Sequence, residues 1–154
     1  MITAVDTNVL VDVLGGPGSN TERSAAALAG AVDVGSLIVS DVVYAKLAVR
    51  LSLEDLERFL TRTRIERVSS SAPALHLAGR TWSTYLSRRP DSFVCSACGA
   101  SNPLACGRCG SRIASRQHLL PDFIIGAHAL FHADRLLTRD HGYYRTYFPD
   151  LELA

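Results

Sequence analysis

The chain has 154 residues, of which 47% are hydrophobic and 20% charged, and its formal net charge is +1. These values suit one soluble globular domain, and no apolar run approaches the ~20 residues that a membrane-spanning helix needs. The N-terminal stretch lacks a basic segment and carries Asp6 among its apolar residues, so we expect no signal peptide, no membrane partner and a cytoplasmic location.

Strands and helices alternate in the predicted secondary structure. In chain order we predict a strand at 2–5, a helix from 7 or 8 to 14, a helix at 21–31, a strand at 37–39, a helix opened by Ser40 and Asp41, a helix at 52–61, a strand at 65–68, a helix at 72–87, a helix at 121–133, a strand at 135–138 and a fifth strand at 151–153. This order predicts an α/β fold in which helices cover both faces of a parallel sheet.

Three acidic residues fall where such a fold places ligands, beyond the C-terminal ends of the strands. Asp6 follows the first strand, Asp140 follows the strand at 135–138, and Asp122 lies in the first turn of a helix. Converging carboxylates repel one another unless cations neutralise them, and hard oxygen ligands select Mg²⁺ or Mn²⁺. The alternative is that each Asp only caps a helix.

Three segments resemble the PIN domain in their order, spacing and context. They are VDTNVLVDVL at 5–14, PDFIIGAHAL at 121–130 and LLTRDHGYY at 136–144. The resemblance covers essentially the whole chain except about 91–116. It implies a PIN-like three-layer α/β/α fold with a central parallel sheet, formed by a single domain over 1–154.

The resemblance also implies a site and an activity. The matching positions Asp6, Asp122 and Asp140 would bind a catalytic Mg²⁺ or Mn²⁺, with Asn8 and Thr138 supporting these carboxylates. Family members hydrolyse phosphodiester bonds of single-stranded or looped RNA with a metal-activated water. Small stand-alone members are commonly VapC-type toxins, which usually form homodimers and are neutralised by a cognate antitoxin protein.

One position departs from the family pattern. The family has a fourth acid on the helix after the second strand, where this chain has Lys46, its only lysine beside fifteen arginines. A protonated lysine cannot ligate Mg²⁺. An exposed helix lysine is the simple alternative, but Val42, Val43 and Val49 occupy three of its four helical neighbour positions. We therefore hypothesise an inactivating substitution, with a naturally inactive or altered member as the alternative.

Four cysteines form two CxxC turns within the segment 91–116. We expect Cys95, Cys98, Cys106 and Cys109 to hold one structural Zn²⁺, because four thiolates suit a closed tetrahedral site. The segment resembles a zinc ribbon inserted into the domain. Two disulfides, or a rubredoxin-like iron site, are the competing interpretations.

The leading hypothesis is a metal-dependent endoribonuclease toxin whose activity Lys46 impairs. One alternative is a ribosomal-RNA-processing PIN endonuclease of the Nob type, which also carries a zinc ribbon. The other is a non-catalytic RNA- or protein-binding module in which Lys46 is native. His128 and His132 lie four residues apart on one helix, and without an HExxH context we interpret them as packing residues.

Overall fold

The computed structural model describes residues 1–16, 18, 20–88, 93–94, 100–102, 104–113 and 120–154. Its first half comprises β1 (Ile2–Val5), α1 (Thr7–Leu14), α2 (Thr21–Val34), β2 (Ser36–Val39), α3 (Asp41–Leu47), α4 (Leu53–Thr63) and β3 (Ile65–Arg67). The second half comprises α5 (Ala72–Arg88), β4 (Phe93–Val94), β5 (Ser101–Asn102), β6 (Leu104–Ala105), β7 (Arg112–Ile113), α6 (Leu120–His132), β8 (Arg135–Leu137) and α7 (His141–Tyr147).

The central sheet has four strands in the order β3-β2-β1-β8, and every pairing is parallel. Ala4 in β1 is in register with Ile38 on one side and Leu136 on the other. The predicted α/β class with a central parallel sheet flanked by helices is therefore confirmed. Because all four strands run the same way, residues that follow β1 and β8 emerge at the same edge of the sheet.

Short local signals start and stop the helices between the strands. Ser40 accepts a hydrogen bond from the Val43 N–H at 3.3 Å and so caps α3, and Ser52 caps α4 through the Asp55 N–H at 3.2 Å. Arg64 ends α4 in the left-handed conformation, with φ of 53°. These caps set where α3 begins, and therefore where Lys46 stands in its last turn.

The predicted fifth strand at 151–153 is wrong. Leu153 forms a single parallel bridge to Leu136, flanked by backbone hydrogen bonds of Leu136 with Glu152 and Ala154. The chain turns immediately before this point, where the Leu151 N–H bonds to the Phe148 carbonyl at 3.0 Å, so only one residue reaches the strand edge. Helix α2 also continues to Val34, beyond its expected end at 31, and α7 was not predicted.

The segment between α5 and α6 contains two small antiparallel pairs, β4 with β5 and β6 with β7. Cys95 and Cys98, half of the expected zinc ligands, lie outside the described residues. In the described ranges no helix is both long and apolar enough to pass through a bilayer.

Candidate functional site

Asp6 directly follows β1 and is buried, with 6% of its surface exposed. Three side chains donate hydrogen bonds to its Oδ2: Asn8 at 2.8 Å, Thr138 at 2.7 Å and Tyr144 at 3.3 Å. The partners come from α1, from the residue after β8, and from α7. The parallel pairing of β1 with β8 brings them together, since it aligns Val5 with Leu137. The carboxylate is thus held in one orientation by groups 130 or more residues away and by one local amide.

Burial raises the pKa of the Asp6 carboxyl above its ordinary value. The hydrogen bond from Thr138 and the positive charge of Lys46 act in the opposite direction, and the Asp122 carboxylate raises the pKa further. Asp6 and Asp122 therefore interact electrostatically, and the positive charge of Lys46 offsets part of their repulsion.

Thr138 and Asp140 belong to the same hydrogen-bonded group. The Thr138 hydroxyl accepts hydrogen bonds from the Asn8 amide and from the Asp140 N–H, both at 3.1 Å. The Asp140 Oδ1 accepts from the Tyr143 N–H at 3.2 Å and so caps α7. Asp140 consequently has the helix-capping role that the sequence left open, while it also faces the cavity described below.

Lys46 and Asp122 form an ion pair, with the Nζ of Lys46 2.8 Å from the Oδ1 of Asp122. Lys46 lies in the last turn of α3, and Asp122 lies in the first turn of α6. Both side chains are partly exposed, at 37% and 28%. The lysine is therefore not on a fully solvated helix face, and its ammonium neutralises one of the three predicted metal ligands.

All three acids and Lys46 line one cavity of about 450 Å³, which we call the acidic cavity. Its walls are formed by Asp6, Thr7, Asn8, Val11, Lys46, Asp122, Arg139, Asp140, Tyr143 and Tyr144. Thr138 lies behind this wall, bonded to Asp6 and Asp140. The structure thus brings the sequence-predicted site residues to one edge of the sheet.

The acidic cavity has the donor chemistry of a Mg²⁺ or Mn²⁺ site, because its ligands are hard carboxylate oxygens. Among the residues that the structure describes, the buried hydroxyl of Thr7 in this cavity has no hydrogen-bond partner. The arrangement nevertheless does not fit a divalent ion. Among the described residues, no three His, Cys, Asp or Glu side chains are close enough to hold a metal, and an ammonium contacts Asp122.

The contact between Arg139 and Asp12 was not predicted from the sequence. The guanidinium binds both carboxylate oxygens, with Nε 2.7 Å from Oδ2 and Nη2 3.2 Å from Oδ1. Ser24 also donates to the Asp12 Oδ2 at 2.7 Å. Asp12 lies one helical turn after Asn8 on the α1 face that meets the site, and this spacing was the available signal.

Cys106 and Cys109 begin and end a tight turn. The Gly110 N–H bonds to the Cys106 carbonyl at 2.8 Å, and Gly110 is left-handed with φ of 71°. The Sγ of Cys109 lies 3.3 Å from the Ser111 Oγ, and this hydrogen bond lowers the pKa of the Cys109 thiol. Neither cysteine is in a disulfide with another described residue. Such a turn favours the thiolate form that binds metals.

Comparisons with known proteins identify the fold. No protein-family profile matches the sequence, and no curated protein is significantly similar to it. Among solved structures, VapBC-1 from nontypeable Haemophilus influenzae matches with a TM-score of 0.59 and 18% identity, over 100% of this chain and 97% of that one. VapBC2 from Rickettsia felis, bound to a promoter DNA fragment, matches with a TM-score of 0.58 and 20% identity, over 100% of this chain and 98% of that one. FitAcB from Neisseria gonorrhoeae matches with a TM-score of 0.54 and 18% identity, over 99% of this chain and 96% of that one. The chain therefore has the PIN-like fold of these VapBC and FitAcB structures.

Proposed function

We propose that this chain is the toxin of a toxin–antitoxin pair, and that its PIN-type ribonuclease site is held inactive by Lys46. The observation that carries the proposal is the 2.8 Å contact between Lys46 and Asp122 in the cavity that Asp6 and Asp140 also line. The shared fold supports it, because the similar structures are complexes named VapBC and FitAcB and one more is a toxin–antitoxin complex.

The role of Lys46 follows from charge. Asp6, Asp122 and Asp140 line one cavity, and the ammonium of Lys46 places a positive charge from the protein itself beside them. A divalent ion at the same place would meet a repulsive neighbour and would compete for Asp122. With Glu at position 46, the ammonium would be replaced by another hard oxygen ligand. The site would then match the donor set that Mg²⁺ and Mn²⁺ prefer.

The surrounding residues fit a positioning role. Asn8, Thr138 and Tyr144 fix the orientation of Asp6, and Thr138 also ties Asp140 to the same group through its backbone. These hydrogen bonds hold Asp6 in one orientation, so this carboxylate would need little reorientation if Lys46→Glu made room for an ion. In Lys46→Glu, Asp6, Asp122, Asp140 and the introduced carboxylate would hold a divalent ion, which would supply the activation of water for phosphodiester hydrolysis.

The test is RNA cleavage by Lys46→Glu in Mn²⁺ buffer, with the unchanged chain beside it. We expect cleavage only in Lys46→Glu, and we expect Asp6→Asn in the same protein to abolish it again. Arg50→Glu is the matched control, because it makes the same charge change at an exposed position one turn away. If Lys46→Glu folds normally but leaves total cellular RNA intact, a non-catalytic RNA- or protein-binding module replaces the nuclease.

The same proposal implies an antitoxin partner and a homodimer. Expression of Lys46→Glu should stop the growth of a host cell, and co-expression of the small protein encoded beside it should restore growth. That protein should also co-purify with the unchanged chain, which is the safer bait because it lacks the activity. Growth arrest that no neighbouring reading frame relieves would contradict the pairing.

A further inference from the structure

A second cavity, of about 390 Å³, lies on the other side of Arg139 from the acidic cavity. We call it the Arg23 cavity. Arg139 lines both cavities, because it is between Thr138 and Asp140 at the end of β8. The residues of the Arg23 cavity that matter for its chemistry are Asn20, Arg23, Arg139 and His141 at its polar surface, and Val9 and Leu137 at its buried side.

The lining of the Arg23 cavity contains two arginines and a histidine but no aspartate or glutamate. Asp12 balances the charge of Arg139 through the two-oxygen contact. Arg23 is exposed and forms no ion pair with any described residue. His141 bonds through Nε2 to the Thr138 carbonyl at 2.9 Å, and its other ring nitrogen has no described partner. The cavity therefore offers one cation, the Arg23 guanidinium, that has no ion-pair partner among the described residues, together with polar contacts from Asn20 and His141.

The two neighbouring cavities differ in charge: the acidic cavity is lined by carboxylates, whereas the Arg23 cavity is lined by no aspartate or glutamate. An acidic cavity repels the phosphates of a nucleic acid, so the attraction that holds a substrate must come from cations nearby. Arg23 is one such cation, and it lines the cavity next to the one where cleavage is proposed. The buried side chains of Val9 and Leu137 add an apolar wall suited to a sugar or base. The volume suits one nucleotide of a single strand, since a duplex cannot enter a cavity of this size.

We propose that the Arg23 cavity binds the nucleotide next to the linkage held in the acidic cavity, with Arg23 paired to its phosphate. The inference rests on the proposed function for the choice of single-stranded RNA. It assigns to Arg23, Asn20 and His141 the binding of substrate, and it assigns to Arg139 the wall between two adjacent subsites.

Binding of RNA by the unchanged chain tests this inference without any catalysis. A fluorescein-labelled RNA hexanucleotide is titrated with protein at several salt concentrations, and anisotropy gives the affinity. Arg23→Gln should weaken binding about five- to tenfold and should lower the salt slope by about 0.7, the value for one lost contact to a single strand. Arg80→Gln, which removes one exposed arginine from α5 outside both cavities, should change neither quantity.

Three outcomes would overturn the inference: equal effects of Arg23→Gln and Arg80→Gln, no RNA binding by the unchanged chain at low salt, or an equal loss for duplex DNA of the same length. The proposed function fails independently. If Lys46→Glu cleaves RNA with the same KM whether or not Arg23 is replaced, the proposed nuclease activity is supported and the proposed Arg23 subsite is rejected. If RNA binding depends on Arg23 but Lys46→Glu does not cleave RNA, the proposed subsite is supported and the proposed nuclease activity is rejected.

Discussion

The ammonium of Lys46 lies 2.8 Å from the Oδ1 of Asp122, although 76 residues separate the two in sequence. The contact joins the end of α3 to the start of α6 across the mouth of the acidic cavity. Asp6, Asp122 and Asp140 would attract a divalent ion, but the ammonium of Lys46 already supplies a positive charge beside them. Metal affinity is therefore the most direct property to measure.

Lys46→Glu should bind Mn²⁺ at least about tenfold more tightly than the unchanged chain. The substitution removes a repulsive charge and adds a ligand, and a charge at this range changes binding by more than 1 kcal/mol even with strong screening. Calorimetric titration measures the affinity, and Lys46→Met, which only removes the charge, should be intermediate. Equal Mn²⁺ affinity in all three proteins would show that Lys46 does not control the site.

Replacing Thr138 by Val should lower the free energy of unfolding by about 1–3 kcal/mol. The hydroxyl donates to the buried Asp6 and accepts from Asn8 and Asp140, so Thr138→Val removes three hydrogen bonds at once. Thr138→Ser should retain most of the stability, because the hydroxyl remains. Urea unfolding compares these variants with Thr146→Val, whose exposed hydroxyl bonds only to a carbonyl within its own helix. Similar losses at positions 138 and 146 would contradict the proposed network.

Stability should fall in acid because of His128. The ring is buried between Ser70 and His132, and burial lowers the pKa of His128 to about 4, with His132 adding to the effect and Asp41 opposing it. Below pH 6.5 the His128 ring binds a proton in the unfolded chain, whereas in the folded chain it stays neutral until the pH nears 4. The free energy of unfolding should therefore fall by about 3 kcal/mol between pH 6.5 and 4.

Urea unfolding at pH 7, 6 and 5 measures this dependence. The His128→Gln variant should be less stable at pH 7 but should show a shallower decline toward acid. The exposed His76→Gln variant is the control for the substitution itself. An unchanged slope in His128→Gln would mean that other groups cause the acid sensitivity.

Two helical glycines should respond oppositely to Ala. A Cβ on Gly126 would lie 2.5 Å from Cε2 of Phe148, whose ring is buried against Phe123 and Tyr144 and cannot easily move aside. Gly126→Ala should therefore cost about 1–3 kcal/mol. Gly79 in α5 has open space, so Gly79→Ala should add about 0.5–1 kcal/mol. Thermal unfolding of the pair tests the packing of α6 directly, and a stabilised Gly126→Ala would show that this packing is wrong.

Purified protein should contain about one zinc per chain, held by Cys95, Cys98, Cys106 and Cys109. The tight turn at Cys106 and Cys109, and the lowered pKa of the Cys109 thiol, favour thiolate ligands. Elemental analysis should find the zinc, and Cys106→Ser should lose it, whereas Ser101→Ala should keep it. Zinc well below one equivalent, with no titratable thiols, would indicate disulfides instead.

The order of elements and the parallel sheet were accessible from the sequence, because alternating hydrophobic patterns and capping residues are local. Asp6 and Asp140 were placed at one edge of the sheet by a topological rule that needs only strand order. The prediction of a fifth strand was wrong because the turn near Phe148 and Leu151 depends on tertiary packing, which the local hydrophobic pattern does not reveal. Helix α7 was not predicted, although the possibility that Asp140 caps a helix was its local signal.

The sequence by itself determined the composition of the site: three acids, one lysine and a pair of polar side chains, in an order typical of a PIN-like domain. Only the tertiary structure decided which of them touch. The ion pair of Lys46 with Asp122, the convergence of three donors on one oxygen of Asp6, and the two-oxygen contact of Arg139 with Asp12 all depend on helix orientation. Side-chain distances follow from how helices pack on a sheet, and that packing sums many small contacts across the core.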